Sequence, residues 1–314
     1  MHKVLLLGSG DFARGVLEGI LASKHRVVGF FPWEARHKPT LKTRIKRRFV
    51  TDNVALAEQY DIPVWQMRSA NSAEFAARVA ALQPDIIVVA GWGEILKPQT
   101  IELPVRAVVN SHPSLLPRHR GASPISSVLC EGETHTGVTF HYLTPQIDAG
   151  HILYQSALSI YEGDDFASLS RRIIRRAKET IGLALAKVGE PGELQDESEA
   201  SYFYRLAPSE MWLDWSAPAQ RLRNRIRSVS GNYFRSGHNN RVLYITDVEL
   251  VELHQPCHQP GRVLDKAGSR LLIATGDPST ALFICANPVD NLCGPLGAKW
   301  YCLNKIQIGD LLGE

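Results

Sequence analysis

The segment Val4-Leu5-Leu6-Leu7-Gly8-Ser9-Gly10-Asp11-Phe12-Ala13 opens on a wholly apolar run, turns through two glycines and enters a stretch of helical spacing. An apolar run without alternation is what a strand covered on both faces requires. Beyond the turn, Phe12, Val16, Ile20 and Leu21 fall on one side of a helix. Moving outward, the pattern repeats. Strands are predicted over residues 26–31, 63–65, 85–90 and 105–110, with helices over 53–60 and 73–82 among them. This alternation predicts an α/β fold built on an open, mostly parallel sheet with helices on both faces, because parallel neighbours need long crossovers. Residues 136–142 alternate in polarity and are expected in the same sheet, followed by a strand over 151–156 and a helix over 166–188.

The texture then changes. Gly189-Glu190-Pro191-Gly192 ends the long helix, and residues 190–199 carry five acids and no base. One more helix is predicted over 218–229. Short strands over 241–253, 262–264, 270–275 and 281–285, broken by Gly and Pro, follow as in a small β-barrel. The expected organisation is one domain over 1–189, a linker over 190–205 and a barrel-like domain over 206–314. A chain of 314 residues holds two such cores.

Composition excludes several classes. With 44% hydrophobic and 21% charged residues, the chain is neither disordered nor fibrous. Thirty-five Lys+Arg against 32 Asp+Glu leave a net +3, too balanced to signal nucleic-acid binding by itself. The first apolar run is too short to span a membrane and lacks a signal-peptide cleavage region. Five cysteines without a C-x-x-C pair, an odd number, argue against a closed disulfide set. A soluble, reduced, cytoplasmic protein with no membrane partner is expected.

Gly8-Ser9-Gly10-Asp11-Phe12-Ala13 also fits the G-x-G-x-x-G/A fingerprint, and Glu34 lies 24 residues past Gly10, near where a ribose-binding acid would sit. An NAD-binding protein is therefore an alternative reading. Against it, any tight strand-to-helix turn favours glycine, and Pro32-Trp33-Glu34 leaves the strand through a proline. Gly10, Asp11 and Phe12 at the helix N-terminus can instead receive an anion carried by another ligand.

The chemistry concentrates in Asn110-Ser111-His112-Pro113-Ser114-Leu115-Leu116-Pro117-Arg118-His119-Arg120-Gly121. Asn110 and His112 are two apart at the end of a strand, so they point to one side. That edge is where open parallel sheets bind ligands. Pro113 and Pro117 stiffen the loop. Further on, Thr144-Pro145-Gln146-Ile147-Asp148-Ala149-Gly150 brings an acid into a loop after another apolar strand. No serine or cysteine sits in a nucleophile elbow. An amide, an imidazole and a carboxylate suit direct transfer between two bound partners. His112, His119, His135, His141 and His151 are numerous, but no pair has a ligand spacing backed by cysteines, so no metal is expected.

Asn110-x-His112-x-Ser114-Leu-Leu-Pro117-x-x-Arg120-Gly121-x-x-Pro124, then Thr136-Gly-Val-Thr139 and Ile147-Asp148-x-Gly150, resembles the folate-dependent formyltransferase family. Its members formylate methionyl-tRNA, glycinamide ribonucleotide or amino sugars. The likeness resumes at Leu213-Asp214-Trp215-Ser216-x-Pro218. It implies a Rossmann-like first domain, N10-formyltetrahydrofolate as formyl donor, and catalysis by Asn110, His112 and Asp148. Asn110 would donate to the formyl oxygen, and a protonated His112 would stabilise charge there. Asp148 would orient the imidazole, favour its cationic form and take the amine's proton. The folate loops would be Gly91, Trp92, Gly93, Glu94, Ile95 and Leu96, with Gln146, Ile147, Ala149 and Gly150. Trp92 stands where the methionyl-tRNA branch has a smaller or phenolic residue.

The acceptor is expected to be a small-molecule amine, an amino sugar nucleotide or an amino-acid-derived metabolite. Residues 36–48 hold seven Lys/Arg and no acid, a run that nucleic acid would welcome. Yet the Arg-Pro-x-Gly-Arg-Gly pattern of the methionyl-tRNA branch is missing, and Ser230-Gly231-Asn232-Tyr233 departs from that branch's Pro-Gly-Ala turn. Residues 206–314 carry 11 Lys/Arg and 10 Asp/Glu, too few net charges for a barrel gripping RNA. Acceptor contacts are expected from Arg36, Lys38, Ser114 and Arg120 as well as Gly10, Asp11 and Phe12. tRNA is the less favoured acceptor. The barrel domain is expected to cover the site or to support a homodimer contact.

Overall fold

The structure, a computed structural model, describes residues 1–33, 53–229, 234–239, 241–268, 270–288 and 305–313. They form two compact units. One comprises Met1–Pro124, His135–Ile160 and Ser170–Phe203; the other comprises Ile125–Thr134, Tyr161–Leu169 and Tyr204–Glu314.

The first unit is built on β1 (Lys3–Gly8), β2 (Arg26–Pro32), β3 (Ile86–Ala90), β4 (Ala107–His112), β6 (His135–Tyr142) and β7 (Ile152–Ser159), with β5 (Arg120–Gly121) set apart. The sheet order is β2-β1-β3-β4-β6-β7. The first four strands run parallel, and β6 and β7 are antiparallel additions. The sheet is thus mixed at one side. The loop between β6 and β7 is too short for a crossover, so their pairing must reverse. Residues 63–65 form no full strand: Val64 makes a single parallel bridge to Phe30.

Both faces of the sheet are buried, and the period of two along β1 divides the core. Val4 and Leu6 join the side that packs α1 (Gly10–Leu21), whereas Leu5 and Leu7 meet Phe31, Trp65, Phe75 and Ile87 on the other. The remaining helices are α2 (Asn53–Gln59), α3 (Ala73–Leu82), α4 (Pro98–Ile101), α5 (Pro124–Cys130) and α6 (Phe166–Ala186).

The second unit holds α7 (Ala219–Arg227) and a five-stranded antiparallel sheet, β11 (Val263–Ala267), β12 (Arg270–Ala274), β13 (Thr280–Pro288), β10 (Arg241–Glu252) and β9 (Phe234–His238), in that order. Residues 305–313 close it into a barrel. Leu311 bridges to Arg262 beside β11, and Gly313 bridges to Gly237 of β9. His238 Nε2 and Asp310 Oδ2, 2.9 Å apart, pin that seam. Leu213, Trp215, Leu222, Ile226, Leu243, Leu271 and Leu282 form its core. β9 escapes sequence patterning because, after Phe234, its buried positions are Ser236, Gly237 and His238.

The expected linker needs correction. Residues 190–203 belong to the first unit. Glu193 exchanges backbone bonds with Ile152, and β8 (Tyr202–Phe203) pairs in parallel with β5. Residues 125–134 and 161–169, expected in the first domain, group with the second unit. No described helix is long and apolar enough to cross a membrane.

Candidate active site

β4 carries Asn110 and His112 to the C-terminal edge of the parallel strands. Its register with β6 sets Asn110 opposite His141 and His112 opposite Thr139. Opposite residues share a face, so two histidines and an amide converge there.

Asp148 is the hub. Its Oδ1 accepts from Asn110 Nδ2 at 3.1 Å and lies 3.6 Å from His141 Nε2. Its Oδ2 accepts from the Gly121 amide at 2.8 Å and lies 3.5 Å from His112 Nδ1. Asp148 has φ +52°, a left-handed conformation that costs a non-glycine residue about 1–3 kcal/mol and persists only when its surroundings hold it. Two residues on, Gly150 is obligatory: a Cβ there would lie 1.8 Å from the Tyr142 carbonyl oxygen.

Hydrogen-bond partners fix the protons. His141 Nδ1 lies 2.8 Å from the Tyr142 carbonyl and must donate to it, which leaves Nε2 to accept from Asn110 Nδ2 at 3.1 Å. His112 Nε2 likewise donates to the His119 carbonyl at 2.9 Å. His112 is completely buried, and that burial lowers its pKa from the ordinary value; the Asp148 carboxylate offsets only part of the effect. Asp148 does favour a cationic His112, as expected, and desolvation opposes it. Burial works against the Asp148 carboxylate too, but His112, His141 and the Gly121 amide outweigh it and hold Asp148 well below the usual carboxylate range. The result is an ionised acid 3.5 Å from the His112 imidazole, Oδ2 to Nδ1.

Arg120 and Ser114, expected at the acceptor, serve the loop instead. Arg120 is fully buried. Its guanidinium donates to Gln195 Oε1 at 3.2 and 2.8 Å, to both Glu197 oxygens at 2.9 and 2.7 Å, and to the Tyr202 hydroxyl at 2.9 Å. Ser114 Oγ, also buried, donates to the Arg118 carbonyl at 3.0 Å. Both side chains have their hydrogen-bonding capacity directed inward.

A model of the formyl transferase family matches residues 2–185, and one of the formyl transferase C-terminal domain matches residues 205–285. The chain belongs to the formyl transferase family. It is 29% identical over 284 residues to methionyl-tRNA formyltransferase of Staphylococcus aureus strain MW2, an alignment covering 88% of each chain. Among solved structures, an N-formyltransferase from Helicobacter canadensis, in complex with folinic acid and dTDP-3-aminofucose, matches with TM-score 0.68 at 16% identity, covering 91% of this chain and all of that one. HypX from Aquifex aeolicus, in complex with tetrahydrofolic acid, matches with TM-score 0.61 at 14% identity, covering 98% of this chain and 48% of that one. The α/β sheet with a smaller C-terminal barrel is thus this family's fold, and the chain is a formyltransferase.

The other expected residues of this formyltransferase divide by position. Gly91, Trp92, Gly93, Glu94, Ile95 and Leu96 follow β3, whose Ala90 pairs with Ser111 of β4. Glu94 braces that loop, accepting from Ser69 Oγ and from the Ala70 amide. Leu96 is buried in the core, whereas Ile95 is 70% exposed. Trp92 packs against Phe31 and edge-on against Trp33. Gln146, Ile147, Ala149 and Gly150 flank Asp148, with Ile147 44% exposed. Gly10 and Asp11 are exposed at the start of α1, while Phe12 packs on the core. Arg36 and Lys38 lie outside the described residues, as does Glu34. Among the described residues, no group of three or more His, Cys, Asp or Glu is placed to hold a metal ion.

Sequence reasoning weighed His141 only as a metal ligand and passed over Gln195. His141 becomes visible once the β4–β6 register is known. Gln195 had no local signal.

Proposed function

We propose that this enzyme transfers a formyl group from N10-formyltetrahydrofolate to the primary amine of a small acceptor, an amino sugar nucleotide or an amino-acid-derived metabolite. The residues present fit such a donor. A flat pterin needs close backbone approach and apolar contact, and Gly91, with φ +62°, exposes backbone in the first candidate loop. Ile95 and Ile147 are exposed apolar side chains in the two candidate loops. The buried indole N–H of Trp92 has no hydrogen-bond partner among the described residues, an unusual state for a buried tryptophan. When bound, the donor supplies an activated formyl carbon whose oxygen gains negative charge as an amine attacks.

Asn110, His112 and Asp148 carry the reaction in this reading. Asn110 is half-buried, and one amide hydrogen, traded from His141 or Asp148, answers the developing charge. The attacking amine must lose a proton. Asp148 and His112 receive it at Oδ2 and Nδ1, directly or through water, and return it to N10 of the donor as the bond between the formyl carbon and N10 breaks and tetrahydrofolate leaves.

The observation favouring a small acceptor is in the second unit. Arg223 and Arg227 donate to the Glu162 carbonyl at 2.8 and 3.0 Å, and Arg225 donates to that of Glu210. Three of the four arginines of α7 are thereby directed at protein carbonyls, in a unit already close to neutral. A second reading, methionyl-tRNA as acceptor, is favoured by the 29% identity shared with the staphylococcal enzyme across most of both chains. Mass-spectrometric product screening with the donor, a panel of amino sugar nucleotides and amino acids, and charged initiator tRNA separates them. A formylated small amine is expected. Robust formyl-methionyl-tRNA formation, abolished by neutralising Lys46, Arg47 and Arg48 together, overturns the ranking.

A further inference from the structure

Residues 195–203 touch both sides of the site from outside it. Gln195, 4% exposed, is the pivot. Its Oε1 accepts two bonds from Arg120, and its Nε2 donates to the carbonyls of Asp148 and Gly150 at 2.8 and 2.7 Å. All four capacities of one carboxamide are used, which leaves it a single orientation. Arg120 is in turn clamped by Glu197 and Tyr202, and the guanidinium holds the Glu197 carboxyl below its ordinary range. Ser201 grips the neighbouring turn: its Oγ accepts from the His119 amide at 2.9 Å, and its carbonyl accepts from the Arg120 amide at 2.8 Å. His119, with φ +62°, is the residue whose carbonyl receives His112 Nε2–H. One strand of chain therefore fixes the acceptor carbonyl for His112 through Ser201 and the backbone of Asp148 through Gln195.

We infer that Gln195 and Ser201 are positioning residues, which set the Asp148 loop and the His119 turn against each other and so define the spacing of Asp148 and His112. Neither touches reacting atoms. The need for them is physical. Both Asp148 and His119 sit in the left-handed region, where the intrinsic backbone preference points away from the observed geometry. A loop with that bias relaxes when its outer hydrogen bonds are removed. The inference rests on the reading that Asp148 and His112 handle the proton.

The test uses the full chain. Gln195→Glu keeps one oxygen for Arg120 but turns a second acceptor towards the Asp148 and Gly150 carbonyls. Ser201→Ala removes only the hydroxyl under the His119 amide. In each, the His112 imidazole is titrated by proton–carbon NMR in the free protein, with the resonance assigned through His112→Gln. Hydrogen exchange is followed at residues 148–150. Formyl transfer is measured with N10-formyltetrahydrofolate and the acceptor found productive in the panel. Loosening should admit water, move the His112 titration upwards towards its ordinary value and speed exchange. It should also lower kcat about 10- to 100-fold, the scale of a misplacement near 1 Å, with the donor KM changed less than about threefold. A merely structural role would lower the melting temperature and leave the His112 titration where it is. An unmoved titration in folded Gln195→Glu, or in Ser201→Ala should the first fail to fold, overturns the inference. If Asp148→Asn retains full turnover while Gln195→Glu shifts the titration, the catalytic reading fails and the positional coupling stands.

Discussion

Asp148 meets four different groups with two oxygen atoms, and each contact limits what the residue can do. Against burial, His112, His141 and the Gly121 N–H keep its carboxylate ionised, and Asn110 donates to it as well. Asp148→Asn keeps the shape and removes the charge, and kcat is expected to fall about 10²–10⁴-fold with folate affinity little changed; steady-state kinetics over pH 6–9 checks it. Normal turnover across that range would reduce Asp148 to a turn residue. Asn110→Ala should cost about 2–4 kcal/mol of transition-state stabilisation if its amide answers the developing charge, and far less if it only orders Asp148; the two outcomes are read from kcat/KM. At this scale the sequence spoke clearly for Asn110, His112 and Asp148, because each sits in a short run with its own chemistry. It was silent on His141. Strand register decides that His141 faces Asn110, and register is a property of two segments rather than of either one.

Among the elements, the stretch after α6 behaves least as its composition suggests. Its five acids without a base read as part of a linker. The partner of Glu197 is Arg120, 77 residues away and fully buried. A lone guanidinium in that setting would be severely destabilising, so Glu197, with Gln195, answers a requirement of the fold. The α/β core was more legible, since its strands are apolar on both faces and its helices are periodic. The misread strand at residues 63–65 failed because a single bridged residue cannot be told from a short strand by polarity. The turn after β6 makes a prediction of its own. Gly150→Ala places a methyl against the Tyr142 carbonyl and should destabilise by about 1–3 kcal/mol or more. A melting curve should show a drop of several degrees, accompanied by loss of turnover.

At the scale of the whole molecule, buried His25 and His112, together with Asp148, respond to acid in the same direction. Burial lowers the pKa of His25 as well as His112 from the ordinary 6.5. The unfolded chain therefore takes up protons first as the solution is acidified. Stability contributed by these groups is complete above about pH 6.5 and is lost progressively below it. Asp148, whose folded value is depressed, adds stability that persists above its ordinary 3.8 and disappears only as pH falls through the lower folded value. Calorimetry should show the melting temperature falling between pH 7 and pH 5, and His25→Gln should flatten that slope. Charge at the same scale bears on the acceptor. If the enzyme held tRNA by phosphate contacts, affinity would fall by close to one logarithmic unit per contact for each tenfold rise in salt. Weak, salt-insensitive binding with no preference for the charged initiator is expected.

The contacts of Gln195 also bear on how such enzymes are recombined. The match to the first family model ends at residue 185, and the composition break falls at Gly189; either looks like a natural crossover point for grafting a different C-terminal module. A chimera joined there would receive a foreign segment opposite Arg120, with its charge stranded and the Asp148 loop released. Joined after Phe203, it would carry its own lock. Exchange of the C-terminal module in this enzyme should therefore tolerate a seam beyond β8 and penalise one before Gln195, even though the second choice cuts through nothing that sequence composition would mark as folded.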